Sequence, residues 1–111
     1  MYIRKATLKS LDPSDHSRLS NFVHALRTHS MYQPIVENLV QRPGFLQKEY
    51  RMVDNKEGQT FYSILVFESK EYFDQYFEDE SSQSLWIALE LMANQEGISF
   101  NIEDEEASVI Q

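Results

Sequence analysis

The 111-residue sequence contains no cysteine, and glycine, proline and tryptophan are also scarce. The lack of cysteine excludes disulfides, thiolate nucleophiles and thiolate metal ligands, and it is typical of proteins from a reducing compartment. No uninterrupted apolar run reaches the roughly 20 residues of a membrane-spanning helix or the core of a secretory signal. These absences predict a cytoplasmic protein that makes no membrane contact.

Basic residues are scarce in the second half of the chain. Residues 54–111 contain two Lys/Arg and fourteen Asp/Glu, whereas residues 1–53 contain eight and four, and the net charge is −8. A strongly acidic protein repels the phosphate backbone of nucleic acids and anionic lipid surfaces. We therefore expect no nucleic-acid partner.

The composition is that of an ordinary soluble globular protein, with 41% hydrophobic and 25% charged residues. The sequence has neither an internal repeat of solenoid period nor a low-complexity linker. A chain of this length builds one hydrophobic core of ordinary size. We therefore expect one domain over residues 1–111.

Alternation of polar and apolar residues predicts the first strand at residues 2–9. Asp12, followed by Pro13, has the character of a helix N-cap followed by a first helical residue, so we expect the first helix to begin there. Residues 34–40 predict a further helical turn or two before Pro43 ends the helical region.

The Pro-Gly pair in RPGF predicts a turn that opens a second strand over residues 45–53. Simple alternation places Phe45 on the same face as Gln47. Residues 60–68 are apolar on both faces, which indicates a third strand that is covered on both sides.

Ser69 is a suitable N-cap for a second helix, in which the aromatic residues at 72, 73, 76 and 77 share one face. The polar residues at 78–84 predict a break, and the helix is expected to resume over residues 85–93. In that part Ile87 and Leu91 point away from the inward stripe. Gly97 ends the helix, and residues 98–103 alternate as a last strand.

The predicted order of strand, helix, strand, strand, helix, strand is the ferredoxin-like α+β arrangement, a four-stranded antiparallel sheet with both helices on one face. Because the third strand is apolar on both faces, the helix-free face also requires cover. Two such sheets packed face to face would form a dimeric α/β barrel, so we expect a homodimer through this face. The outward Ile87 and Leu91, with Val109 and Ile110 of the C-terminal tail, could add to that contact.

The segments RPGFLQKEYRMVD (42–54) and FYSILVFESKEYFDQYF (61–77) resemble the dimeric α/β-barrel superfamily whose best-known members are the antibiotic biosynthesis monooxygenases. In that family a Pro-Gly-aromatic turn opens the second strand, and a W-E-S-x-E-x-F pattern joins the third strand to the second helix. The pattern reads FESKEYF here, over residues 67–73. Its parts are a turn, a cap and core aromatics, so the resemblance is specific for the fold rather than for a reaction.

The resemblance implies a pocket between the sheet and its own helices that takes a small apolar or aromatic ligand. The residues expected to contact a substrate there are Phe61, Ser63, Phe67, Tyr72 and Trp86. The candidates for stabilising a substrate anion or moving a proton are Arg4, His29 and Tyr76. The alternative interpretation is core packing for Tyr72 and Tyr76, boundary packing for Trp86 and a boundary or loop position for His29.

Two functions fit this pocket. The first is a cofactor-independent monooxygenase, or a related small-molecule enzyme, that acts on an aromatic or polyphenolic substrate. The second is a non-catalytic small-molecule-binding or stress-response protein. No metal site is expected, because His16, His24 and His29 lack ligand spacing with one another and with the acids. Haem breakdown is not expected either. The three positions that match the functional residues of the haem-degrading branch of the family hold different residues here, Ala6, Phe67 and Trp86.

Overall fold

The computed structural model describes residues 1–12, 14–30, 32–56 and 58–107. Its strands form one antiparallel sheet in the order β2-β3-β1-β4. This topology confirms the predicted ferredoxin-like α+β class. The elements in chain order are β1 (Tyr2–Ser10), α1 (Arg18–Thr28), α2 (Tyr32–Val40), β2 (Phe45–Asn55), β3 (Gly58–Phe67), α3 (Lys70–Glu78), α4 (Glu80–Gln95) and β4 (Ile98–Glu106).

The helices cover one face of the sheet, and the buried side chains of β1 mark that face. Even-numbered residues of β1 are buried, whereas Ile3, Lys5 and Thr7 are half-buried on the other side. Residues paired across the sheet share a face, so Ala6 lies between Ser63 of β3 and Ile102 of β4. The core therefore forms between this face and the inner sides of the four helices.

The helix-free face carries an apolar patch at its centre. Ile3 of β1 pairs with Val66 of β3, and Tyr62 and Ile64 follow on the same side; all four are half-buried. Lys5 places its ammonium 4.6 Å from the ring centroid of Tyr62. Within the described ranges, no helix packs on this face.

The first helix begins later than expected, at Arg18 rather than after Asp12. The carboxylate of Asp12 accepts hydrogen bonds from the backbone N–H and hydroxyl of Ser14. Asp15 does the same for the N–H groups of Ser17 and Arg18. These short Asp turns compete with helix formation, so the prediction of an N-cap at Asp12 is wrong. Pro13 lies outside the described residues.

Gly44 explains the Pro-Gly turn that opens β2. Its φ is +78°, a conformation that strains residues with a side chain, and a Cβ at this position would overlap the ring of Tyr72. The carbonyl of Gly44 also accepts a hydrogen bond of 2.7 Å from the N–H of Glu68. The turn therefore joins the start of β2 to the end of β3 and to α3.

A β-bulge at the start of β2 changes the predicted faces of this strand. Phe45 pairs with Phe67 and Gln47 pairs with Val66, so Leu46 is an extra residue. The ring of Phe45 packs edge-on against that of Phe67, on the helix-covered face. The expectation that Phe45 shares a face with Gln47 is therefore wrong.

The second helical region divides at Asp79. Ser69 caps α3 as predicted, because its hydroxyl accepts a hydrogen bond from the N–H of Tyr72. Asp79 ends α3 and caps α4 through the N–H of Ser81, so α4 begins at Glu80 rather than at residue 85. Ile87 and Leu91 are 61% and 57% exposed, on the outer side of α4. The predicted tail contact of Val109 and Ile110 lies outside the described residues.

Candidate functional site

A cavity of about 920 Å³ lies between the helix-covered face of the sheet and α1, α2 and α4. Its volume is near the upper end of the range of ligand pockets, roughly 300 to 1,000 Å³. The strands provide the floor, and mainly aliphatic side chains of the three helices provide the walls. Floor residues include Ala6, Leu8, Tyr50, Phe61, Ser63 and Phe100, and wall residues include Leu26, Ile35, Leu39, Leu85, Leu89 and Met92.

Small side chains at the centre of the sheet help to leave this space open. Ala6 and Ser63 are paired in register on β1 and β3, and both lie on the floor. Larger neighbours, Leu8 and Phe61, are paired one step along the same face. The two small side chains therefore leave more room between the sheet and the helices than their larger neighbours do.

The hydroxyl groups of Tyr32 and Tyr50 form a polar pair in the cavity lining, with their oxygens 2.8 Å apart. Tyr32 is the first residue of α2, and Tyr50 lies in β2 opposite Ser63. Burial and the hydrogen bond with Tyr32 raise the pKa of Tyr50 above its ordinary value. Tyr50 is therefore protonated at neutral pH and is suited to donate a hydrogen bond.

The end of the cavity near the start of α1 carries charged groups that pair with one another. Asp15 forms an ion pair of 3.0 Å with Arg18, whose Nη1 donates to the carbonyl of Glu96. Backbone hydrogen bonds from Ser17 and Arg18 lower the pKa of Asp15 to about 2. This end therefore has little spare charge for a ligand.

The structure brings together only part of the residue set expected from the sequence. His29, Phe61, Ser63 and Trp86 line the cavity. The remaining four candidates are not among its lining residues, and they lie in the core next to it. These are Arg4, Phe67, Tyr72 and Tyr76.

Arg4 is buried in an ion pair beside the cavity and does not line it. Its Nε and Nη2 donate to Asp104 at 2.8 and 2.9 Å, and the hydroxyl of Tyr2 donates to the same carboxylate. The guanidinium carbon lies 4.5 Å from the ring centroid of Phe73 and 5.2 Å from that of Trp86. The expectation that Arg4 shares the pocket is not met, because these partners hold its side chain behind Trp86.

Tyr76 belongs to the aromatic core. Its hydroxyl accepts a hydrogen bond of 3.0 Å from Nε1 of Trp86, and its ring stacks on the fully buried Phe67. Burial raises the pKa of Tyr76. Tyr72 packs over Gly44, so core packing accounts for both tyrosines of α3.

Sequence reasoning missed Tyr32, Tyr50 and Arg27 as cavity residues. Tyr32 and Tyr50 lie 18 positions apart in different elements, so no local pattern joins them. The signal for Tyr50 was its alternation with Lys48 and Met52, but alternation alone does not say which face is covered by helices.

The residues that the structure describes contain no group of three or more His, Cys, Asp or Glu side chains that could hold a metal ion. No helix among those residues is both long and apolar enough to span a membrane.

Comparison with known proteins gives matches only at the level of three-dimensional structure. No protein-family model matches the sequence, and no curated protein matches it significantly. A dimeric ferredoxin-like protein from an uncultured marine organism superposes with a TM-score of 0.66 at 15% identity, over 99% of this chain and 97% of its own. A Deinococcus radiodurans protein assigned as an antibiotic biosynthesis monooxygenase gives 0.61 at 14% identity, over 100% and 96%.

A third similar structure is a mutant of SnoaB, a cofactor-independent oxygenase from Streptomyces nogalater. It gives a TM-score of 0.52 at 13% identity, over 99% of this chain and 94% of its own. The three matches cover nearly the whole chain, and they agree with the resemblance found in the sequence. The chain therefore has the fold shared by antibiotic biosynthesis monooxygenase-like and dimeric ferredoxin-like proteins.

Proposed function

We propose that this chain is a cofactor-independent monooxygenase, or a related small-molecule enzyme, that acts on an aromatic or polyphenolic substrate in the cavity. The observation that carries the proposal is the hydroxyl pair of Tyr32 and Tyr50 within a largely apolar cavity of about 920 Å³. Such a site buries an aromatic body and orients its few oxygen atoms. The fold shared with a cofactor-independent oxygenase adds support.

The reaction requires no flavin or metal, because an electron-rich aromatic anion can itself reduce O₂. In the simplest case one O₂ oxidises a ring CH₂ to C=O, one oxygen atom enters the product and the other leaves as water. The protein must then exclude bulk water and stabilise the anion with hydrogen-bond donors. The protonated Tyr50 is suited to that donation.

The other cavity residues have distinct parts in the proposal. Phe61 and Trp86 would contact the aromatic rings, and Ser63 would offer a hydroxyl to a substrate oxygen. His29 also lines the cavity and belongs to the residue type that most often serves as general base. Arg4 and Tyr76 would support this arrangement indirectly, through their contacts with Trp86.

Oxygen uptake with a panel of hydroxyquinones and polyphenols, together with product masses, tests the proposal. We expect one or more compounds to be converted to products in which CH₂ is replaced by C=O, with one O₂ consumed and one water released per product. Tyr50→Phe should lower turnover about a hundredfold, since a donor to the developing anion is lost. Tyr72→Phe removes a hydroxyl from a ring that packs over Gly44 and does not line the cavity, and it should leave turnover unchanged.

The second candidate is a non-catalytic small-molecule-binding or stress-response protein. The observation that favours it is that apolar side chains predominate in the cavity lining. Tight binding of the same compounds with no oxygen consumption would support this candidate and would contradict the enzyme.

We further propose that the chain acts as a homodimer through the helix-free face of the sheet. Ile3, Tyr62, Ile64 and Val66 form an apolar patch there that no described helix covers. Proteins of the same fold are described as dimeric, which supports this arrangement. Ile87 and Leu91 lie on the outer side of α4, on the helix-covered side of the sheet, so their contribution to this interface is not expected.

A further inference from the structure

We infer that Arg27 binds a carboxylate of the ligand and that Lys48 adds positive charge beside it, so that the cavity selects acidic aromatic compounds over their neutral analogues. The inference rests on the proposed function, because it assumes that the cavity is the ligand site. The carboxylate would be a fixed negative charge of the ligand, separate from the oxygen atom that reacts. It would lie at the end of the cavity where α1 terminates.

Two cations lie near the ring of Tyr50, and of these Arg27 is among the residues that line the cavity whereas Lys48 is not. The guanidinium carbon of Arg27 lies 5.8 Å from the ring centroid of Tyr50, and Nζ of Lys48 lies 5.1 Å from the same centroid. Arg27 lines the cavity from the last turn of α1. Lys48 reaches Tyr50 from two positions earlier in β2, on the same side of the strand.

Neither cation forms an ion pair with an acidic side chain in the ranges that the structure describes, although the chain has 18 acids. Arg18, by contrast, is balanced by Asp15 at the other end of the cavity. Burial and the repulsion from Arg27 lower the pKa of Lys48. A bound anion would relieve that repulsion.

The neighbouring donors suit a carboxylate. A carboxylate accepts several hydrogen bonds, and the hydroxyls of Tyr32 and Tyr50 line the same cavity as Arg27. The last-turn position of Arg27 also lets it interact with the helix dipole, but that interaction does not account for Lys48. A rise of about 1.5 Å per residue puts Arg27 roughly 14 Å from Arg18 along α1, which leaves room for fused rings between the two ends.

The test uses matched pairs of an acid and its methyl ester: 2-naphthoate, anthracene-2-carboxylate and anthraquinone-2-carboxylate. Dissociation constants are measured by calorimetry at low and moderate salt. We expect at least one acid to bind about tenfold more tightly than its ester, a difference of about 1.4 kcal/mol. Arg27→Gln and Lys48→Gln should each weaken the binding of the acid several-fold and leave the binding of the ester unchanged.

Lys70→Gln is the matched control, because it removes one positive charge from an exposed ion pair with Asp74 on α3. It should leave both affinities unchanged. Equal affinities for acid and ester in the wild type, failure of every acid to bind, or an equal loss of acid preference in Lys70→Gln would each overturn the inference.

These affinities, together with the oxygen-uptake assay, separate this inference from the proposed function. Acid-selective binding that depends on Arg27 and Lys48, with no oxygen uptake, supports the carboxylate site and contradicts the monooxygenase. Oxygen uptake with neutral substrates and no preference for acids supports the enzyme and contradicts the carboxylate site.

Discussion

The hydroxyl oxygens of Tyr32 and Tyr50 lie 2.8 Å apart in a cavity whose walls are mainly aliphatic. One residue begins α2 and the other lies within β2, so the hydrogen bond joins the helical layer to the sheet. The two hydroxyl groups also line the cavity, where they can form hydrogen bonds with a ligand. Stability and ligand recognition should therefore both depend on this hydroxyl pair.

Tyr50→Phe should lower the free energy of unfolding by about 1 kcal/mol, because Tyr32 loses its partner in a partly buried place. Tyr32→Phe should cost a similar amount, and the double variant should cost less than the two single changes together. Urea unfolding of all three variants measures this coupling. Additive losses would show that the hydrogen bond contributes nothing, and Tyr72→Phe serves as the control.

Gly44→Ala should destabilise the protein by more than 2 kcal/mol, because it combines a positive φ with overlap on the Tyr72 ring. In a Tyr72→Ala background the overlap is absent, so the additional cost of Gly44→Ala should fall to about 1 kcal/mol. Gly97→Ala is the control: its φ is +71°, but its Cβ would meet only the movable end of Arg18. Equal costs of Gly44→Ala in both backgrounds would contradict the contact with Tyr72.

Asp104→Asn should destabilise the protein by about 2 kcal/mol at neutral pH, since it leaves the buried Arg4 charge without its partner. The value is below that of a fully buried pair because the Asp104 side chain is 29% exposed. Arg4→Met combined with Asp104→Asn should recover part of the loss. Urea unfolding of the wild type and of both variants measures these differences.

The stability difference between wild type and Asp104→Asn should depend on pH. The hydrogen bond from Arg4 holds the pKa of Asp104 below 3.8, so the ionised carboxylate stabilises the folded state above about pH 4. As the pH falls below about 4, through the lowered folded pKa, that contribution is lost and the difference should shrink. A difference that stays constant from pH 6 to about pH 2.5 would contradict the ion pair.

Ile64→Asp should convert the proposed dimer to monomers of 13.1 kDa, because it places a charge at the centre of the helix-free face. Leu91→Asp makes the same chemical change on the outer side of α4 and should leave the dimer intact. Sedimentation velocity at micromolar concentration measures both. A wild-type monomer, or a dimer lost only in Leu91→Asp, would contradict the proposed interface.

The strands and the turn at Gly44 were predictable, because alternation and a Pro-Gly pair act through local geometry. The start of α1 was not, since hydrogen bonds from Ser14, Ser17 and Arg18 to two aspartates favour turns over a helix. The β-bulge at Leu46 leaves the residues from Gln47 onward alternating as expected, but it puts Phe45 on the opposite face from Gln47.

The site was predictable only in part. The alternation of β3 predicts Phe61 and Ser63 on one face, and both line the cavity floor because that face of the strand is covered by the helices. Arg4 of β1 lies on the same helix-covered face of the sheet as these two residues. Its ion pair with Asp104, 100 positions later in the chain, nevertheless holds its side chain out of the cavity. Long-range pairs of this kind leave no mark in a single sequence.

The most direct test is a crystal structure with a hydroxylated aromatic bound at a concentration well above its dissociation constant. We expect density for the ligand between the sheet and α1, α2 and α4, with a ligand oxygen within hydrogen-bond distance of the Tyr32 or Tyr50 hydroxyl. A ligand bound elsewhere, or a cavity closed by helices packed directly on Ala6 and Ser63, would contradict it.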